Sequence, residues 1–97
     1  MPLPPPALLQ QYELVADAVR SVPVPKGVRL RRIDFDTDST GYPAIHIVFA
    51  VSRRLGTSAA VVRSIGNLQD AVRDAVDAVI GVLQVERIPY VRFEDAR

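Results

Sequence analysis

Asp34, Asp36 and Asp38, followed by Gly41, are the residues in this chain whose type and spacing best suit a divalent cation. Carboxylates at alternate positions open the calcium loop of an EF-hand. That loop also needs a glycine at its sixth position and a bidentate glutamate at its twelfth. Here those positions hold Ser39 and Ile45. The flanking segments read as strands rather than helices. A nucleotidyltransferase also pairs aspartates for magnesium, but after a Gly-Ser helix start that is absent here. Asp36 to Pro43 is turn chemistry throughout, and the expectation is a solvated hairpin turn without metal.

His46 is the only histidine and there is no cysteine. A general base needs a positioned nucleophile or an orienting acid. On a strand, His46 points away from Ile45 and Ile47, so no site assembles around it from the sequence. It reads as a structural or interface residue. Multi-histidine metal sites, thiolate sites, cysteine nucleophiles and disulfides are excluded. The expectation is a protein that is not an enzyme and takes no cofactor. A small domain without disulfide staples points to the cytoplasm.

The basic residues are unevenly spread. Lys26, Arg29, Arg31, Arg32, Arg53, Arg54 and Arg63 face only three aspartates within residues 26–63, a surplus of four. The rest of the chain has a deficit of three. A basic patch at one end of the predicted hairpin would suit phosphate contacts. Few aromatics lie among these residues, so no base-stacking platform is visible.

The elements that must hold these residues can be read from periodicity. The 97 residues make one domain of ordinary small size, and 48% apolar residues suffice for a core. A net charge of +1 predicts no strong general attraction to nucleic acid or anionic membrane. No run approaches a membrane span of ~18–20 apolar residues. The Pro-rich start, residues 1–6, is expected to be an extended lead-in and not a signal peptide.

Leu8, Tyr12, Val15, Val19 and Val22 recur at spacings of three and four, which predicts a helix over Ala7–Val22. Pro23, Pro25 and Gly27 stop it. Val28–Asp36 predicts a strand whose apolar residues change parity, from Val28 and Leu30 to Ile33 and Phe35. Either a β-bulge near Arg31–Arg32 restores one face, or the strand starts at Arg31. Ala44–Val51 is the most apolar strand. Ile45, Ile47, Phe49 and Val51 line one side, and Ala44, His46, Val48 and Ala50 the other.

The stripe Val61, Ile65, Leu68, Val72, Ala75, Val79, Val82 predicts a second helix over Ser58–Val82, capped by Thr57 or Ser58. At 1.5 Å per residue it would span roughly 37 Å, against about 27 Å for the eight-residue strand. A break, if there is one, falls at Ser64–Asn67, where Gly66 weakens the helix and Asn67 could cap a second piece. Val85–Glu94 predicts the last strand. Pro89 cannot donate to a ladder, which places this strand at an edge.

The order α-β-β-α-β, the small-x-Gly sequence Ser64-Ile65-Gly66 and the closing Ile88-Pro89-Tyr90-Val91-Arg92-Phe93-Glu94-Asp95 together resemble type II KH-like domains. Within that group the likeness is to ribosome-binding factor A. The resemblance implies a helix kink at Gly66. It also implies an RNA-binding surface, for which Arg29, Arg31, Arg32, Arg53, Arg54 and Arg63 are the candidate contacts. The helix face that is basic in that family carries Asp70, Asp74 and Asp77 here, and no Gly-x-x-Gly is present.

The fold class that follows is α+β, a two-layer sandwich with both helices on one face of a three-stranded mixed sheet of order 1-2-3. Two helices can cover only one side of such a sheet. The face of Ala44, His46, Val48 and Ala50, extended by Tyr90, is then expected to be an exposed apolar patch. Such a patch marks an interface. The leading functional expectation is a small binding module acting through a protein partner or a homodimer, with RNA binding the alternative.

Overall fold

The computed structural model describes residues 6–96. The expected Pro-rich lead-in falls on residues 1–5, outside the described residues, and Pro6 already opens the first helix. The chain runs α1 (Pro6–Arg20), β1 (Val28–Thr37), β2 (Pro43–Val51), α2 (Ala59–Leu83) and β3 (Ile88–Asp95). A short 3-10 turn at Arg53–Leu55 joins β2 to α2. The sheet order is β1-β2-β3, with β1 antiparallel and β3 parallel to the central β2. This is the expected α+β two-layer sandwich.

One continuous apolar face of β1 exists because of a bulge. Leu30 pairs with Phe49 and Arg32 with Val48, which leaves Arg31 as the extra residue. That extra residue shifts the alternation by one place. Val28, Leu30, Ile33 and Phe35 then share the side that meets the helices. The core is built from Ile45, Ile47 and Phe49 of β2, Val15, Ala16 and Val19 of α1, and Leu68, Val72 and Val76 of α2. Tyr12 and Phe35 meet with ring centroids 5.6 Å apart, and Phe49 stacks on Phe93 at 5.7 Å.

The helix ends follow ordinary capping chemistry. The Ser58 hydroxyl accepts the Val61 N–H at 3.3 Å and starts α2. Gln84, in the left-handed region at φ 55°, ends it. α1 ends at Arg20, two residues before the sequence suggested. Its last turn tightens there through Val22 N–H to the Val19 carbonyl at 3.2 Å. The break considered at Ser64–Asn67 does not occur. α2 is a single helix of 25 residues that runs through Gly66. Val61 and Ile65, before the glycine, line a small pocket with Val28 and Leu55, and they stay in line with the buried Leu68 beyond it only if the helix keeps its phase. The helix cost of one glycine is only roughly 1 kcal/mol, and the helix runs through it.

Candidate interaction face

Paired residues in adjacent strands share a face, so the sheet register determines what lies on the side away from the helices. Four rungs cross it. Arg29, Ala50 and Glu94 form the first, and Arg32, Val48 and Arg92 the second. Asp34, His46 and Tyr90 form the third, and Asp36, Ala44 and Ile88 the fourth. The central strand contributes mostly small apolar side chains and the flanking strands mostly long polar ones. Among the described residues, no helix packs on this face.

The expected exposed patch is not there. Ala44, Val48 and Ala50 expose 0%, 0% and 1% of their surface. The reason is a set of long side chains that reach over β2. Arg31 Nη1 donates to Glu94 Oε2 at 3.0 Å, and Arg32 Nη2 lies 3.8 Å from Glu94 Oε1. β1 and β3 are two strand spacings apart, about 10 Å, so both arginines must cross the central strand to reach Glu94. Arg32 Nε also donates to Asp34 Oδ2 at 2.9 Å. Arg31 takes part because the bulge places it and Arg32 on the same side. The small side chains of β2 are thus the floor of the face, and its reachable surface is charged, aromatic and rimmed by Ile88, which is 40% exposed.

His46 and Tyr90 are the half-buried members of the expected interface, and they do come together. Their rings stack at 5.8 Å with 18° between planes. His46 Nε2 lies 2.9 Å from the Thr37 carbonyl oxygen. A carbonyl only accepts, so Nε2 carries a proton and cannot serve as a base there. The Tyr90 hydroxyl donates to Asp38 Oδ2 at 3.0 Å.

Asp38 organises the β1–β2 turn. Its Oδ1 accepts the Thr40 hydroxyl at 2.7 Å and the N–H groups of Thr40 and Tyr42, both at 2.9 Å. The Thr40 hydroxyl contributes most to holding the carboxyl at about 2, below its ordinary 3.8. Backbone N–H groups and the Tyr90 hydroxyl add to this, while partial desolvation opposes it. The same bond to Asp38 raises the Tyr90 phenol above its ordinary 10.0. A depressed carboxyl stabilises the fold fully above its unfolded value, and that contribution disappears as pH falls from about 4 to about 2. Thermal unfolding at pH 5, 4, 3 and 2 should therefore show a steeper acid loss for the natural chain than for Asp38→Asn, which has no carboxyl to protonate.

The three aspartates do not converge. Asp34 is spent on Arg32 and Asp38 on the turn, and Asp36 Oδ1 accepts the Thr37 N–H at 2.8 Å. Among the described residues, no three His, Cys, Asp or Glu side chains gather as a metal site. None of the described helices is long and apolar enough to cross a membrane.

The candidate basic contacts are divided. Arg31 and Arg32 are held by acids on the sheet face. Arg53 and Arg54 sit exposed in the 3-10 turn, and Arg63 lies on the first half of α2, beside a groove floored by Val22–Pro25. Arg29 and Arg31 share an open depression with Glu94 and Asp95. The basic surplus of the sequence is therefore partly neutralised by acids from β3. Residue types and parity alone did not show this; the ++−− run of Arg29, Arg32, Asp34 and Asp36 becomes visible once the bulge is counted.

No family model matches this chain, and no curated protein matches it. Solved structures do. A valine-to-arginine variant of MamM superposes with a TM-score of 0.50 at 17% identity, over 92% of this chain and 96% of that one. A histidine-to-glutamate variant of the MamM CTD, in a zinc form, gives 0.49 at 18% identity over 93% and 87%. An aspartate-to-histidine variant of the MamM CTD, in a copper form, gives 0.40 at 19% identity over 93% and 99%. None of these three is a KH-like domain. At 17% identity the likeness to the first of these concerns the fold alone, over nearly the whole of both chains.

Proposed function

We propose that this chain is a small, non-enzymatic binding module whose partner, another protein or a second copy, docks on the helix-free face of the sheet. The observation that carries this reading is the one-sided layering. Both helices pack on the face of Ile45, Ile47 and Phe49, and the opposite face offers a flat surface of charged and aromatic groups. Shape and hydrogen-bonding groups on such a surface suit a protein partner better than a small substrate. The non-enzymatic part rests on the chemistry of the candidates. The single histidine donates to a backbone carbonyl, and Asp34, Asp38 and Glu94 are engaged in ion pairs or in the turn.

The test uses Ile88→Glu combined with Arg92→Glu, two exposed positions of β3 outside the core. Light scattering from 10 µM to 1 mM reads self-association. Retention of a partner from an extract of the protein's source, on the immobilised chain, reads hetero-association. The double variant should lose at least tenfold in whichever association the natural chain shows, while its melting temperature stays close to that of the natural chain. Association that survives the double variant would place the interface elsewhere. Bound nucleotide or metal copurifying with the chain would overturn the non-enzymatic reading.

A further inference from the structure

The outward residues of β1 that pair with β2 run Arg29, Arg32, Asp34, Asp36, opposite Ala50, Val48, His46 and Ala44, while the bulged Arg31 lies on the same side and is tied to Glu94. All four side chains of that β1 row are exposed. Two positive charges followed by two negative ones make a row that is complementary to itself when turned end for end. Building on the binding-face reading above, we propose that the docking partner is a second copy, packed face to face about a two-fold axis. That axis crosses the strands at the level of the paired residues Ile33 and Ile47.

The axis sets Arg32 opposite Asp34 of the second copy and Arg29 opposite its Asp36, and each contact occurs twice, as an isologous interface requires. On β3 it sets Arg92 over the second copy's Tyr90, a cation–π geometry. On β2 it sets Val48 against His46 and Ala50 against Ala44. Those small side chains lie beneath the charged and aromatic groups, which form the contact between the copies. Dimerisation exchanges the internal Arg32–Asp34 pair, 2.9 Å in the free chain, for the same pairing between copies.

Other ways of joining two copies fit less well. A two-fold axis running along the strands would oppose Arg32 to Arg92, a like-charge contact. Antiparallel pairing of the two β1 edges would use the same charge row, but the bulge at Arg31 interrupts the ladder that such pairing needs. The interface is small. Three strands about 4.8 Å apart and eight residues long offer a footprint of roughly 400 Å² per copy, about half that of a standard stable complex. The dimer is therefore weak, with association appearing between tens of micromolar and millimolar protein.

The experiment is a charge exchange read by light scattering or sedimentation at low salt, from 10 µM to 1 mM. The natural chain should move from 10.7 kDa toward twice that mass, and 0.5 M salt should reverse the change. Arg32→Asp alone and Asp34→Arg alone should each stay monomeric, because each opposes like charges across the axis. An equal mixture of the two should associate again, since each variant supplies the charge the other now faces. Arg29→Asp and Asp36→Arg form a second pair with the same logic, should the first pair disturb folding by circular dichroism. A natural chain still monomeric at 1 mM overturns the dimer but leaves a separate protein partner on this face. A dimer indifferent to the exchanges, or a mixture that fails to associate, overturns the two-fold register. If that dimer is still lost on Ile88→Glu with Arg92→Glu, the face itself stands.

Discussion

Phe49→Ala should lower the stability of this chain by about 3–5 kcal/mol, the range for truncating a large buried aromatic. Phe49 is fully buried on the central strand and stacks on Phe93, 5.7 Å away. It belongs to the same buried cluster as Val15 and Val19 of α1 and Val72 and Val76 of α2, so alanine leaves a void in that cluster. For a domain near 100 residues each kcal/mol is worth roughly 4–8 °C of melting temperature. The midpoint should fall by about 12 °C or more. Calorimetry checks this. A fall of only a few degrees would mean that the helices collapse onto the strand, and that the layers are less rigidly held than the buried cluster implies.

Gly27→Ala is expected to have the second largest effect, about 1–3 kcal/mol, the cost of holding a non-glycine residue in the left-handed region. Gly27 has φ 87°, and its carbonyl accepts the Ser52 N–H at 2.8 Å. A methyl group there would lie 2.8–3.0 Å from three side-chain carbons of Leu55. Leu55 packs against the buried cluster and lines a small pocket with Val28. Gly41 separates the two causes. It has a similar φ of 84°, but a Cβ added there meets nothing within 4 Å. Gly41→Ala therefore reports backbone strain alone. The difference between the two melting temperatures measures how far Leu55 must move, and equal losses would show that Leu55 yields freely.

Much of the fold was legible in the residues. The parity change between Leu30 and Ile33 left a bulge or a strand starting at Arg31, and the register shift at Arg31 shows the bulge. Alternation is a strict period of two, so one extra residue leaves an unmistakable trace. Pro89 placed β3 at an edge, and the doubly apolar β2 belonged in the centre. Turn chemistry at Asp36–Pro43 was also plain, although the bond from Asp38 to a tyrosine 52 positions away was not.

Two features needed the folded chain. The continuity of α2 through Gly66 is one. Local propensity marks that glycine as the weakest point, but the half-buried Val61 and Ile65 before it stay in phase with the buried Leu68 beyond it, and the helix runs through. The nature of the outer face is the other. The sequence determined by itself that Ala44, Val48 and Ala50 are small, apolar and on one side of β2. Whether they were exposed depended on side chains from other strands. Only the parallel register of β3 brings Glu94 level with Ala50, within reach of Arg31 and Arg32, 63 and 62 positions earlier in the chain. An arginine can span a neighbouring strand, and a carboxylate on the far side gives it a reason to do so. That pairing of charge across three strands, invisible to any local pattern, is what turned an expected apolar patch into a charged and self-complementary surface.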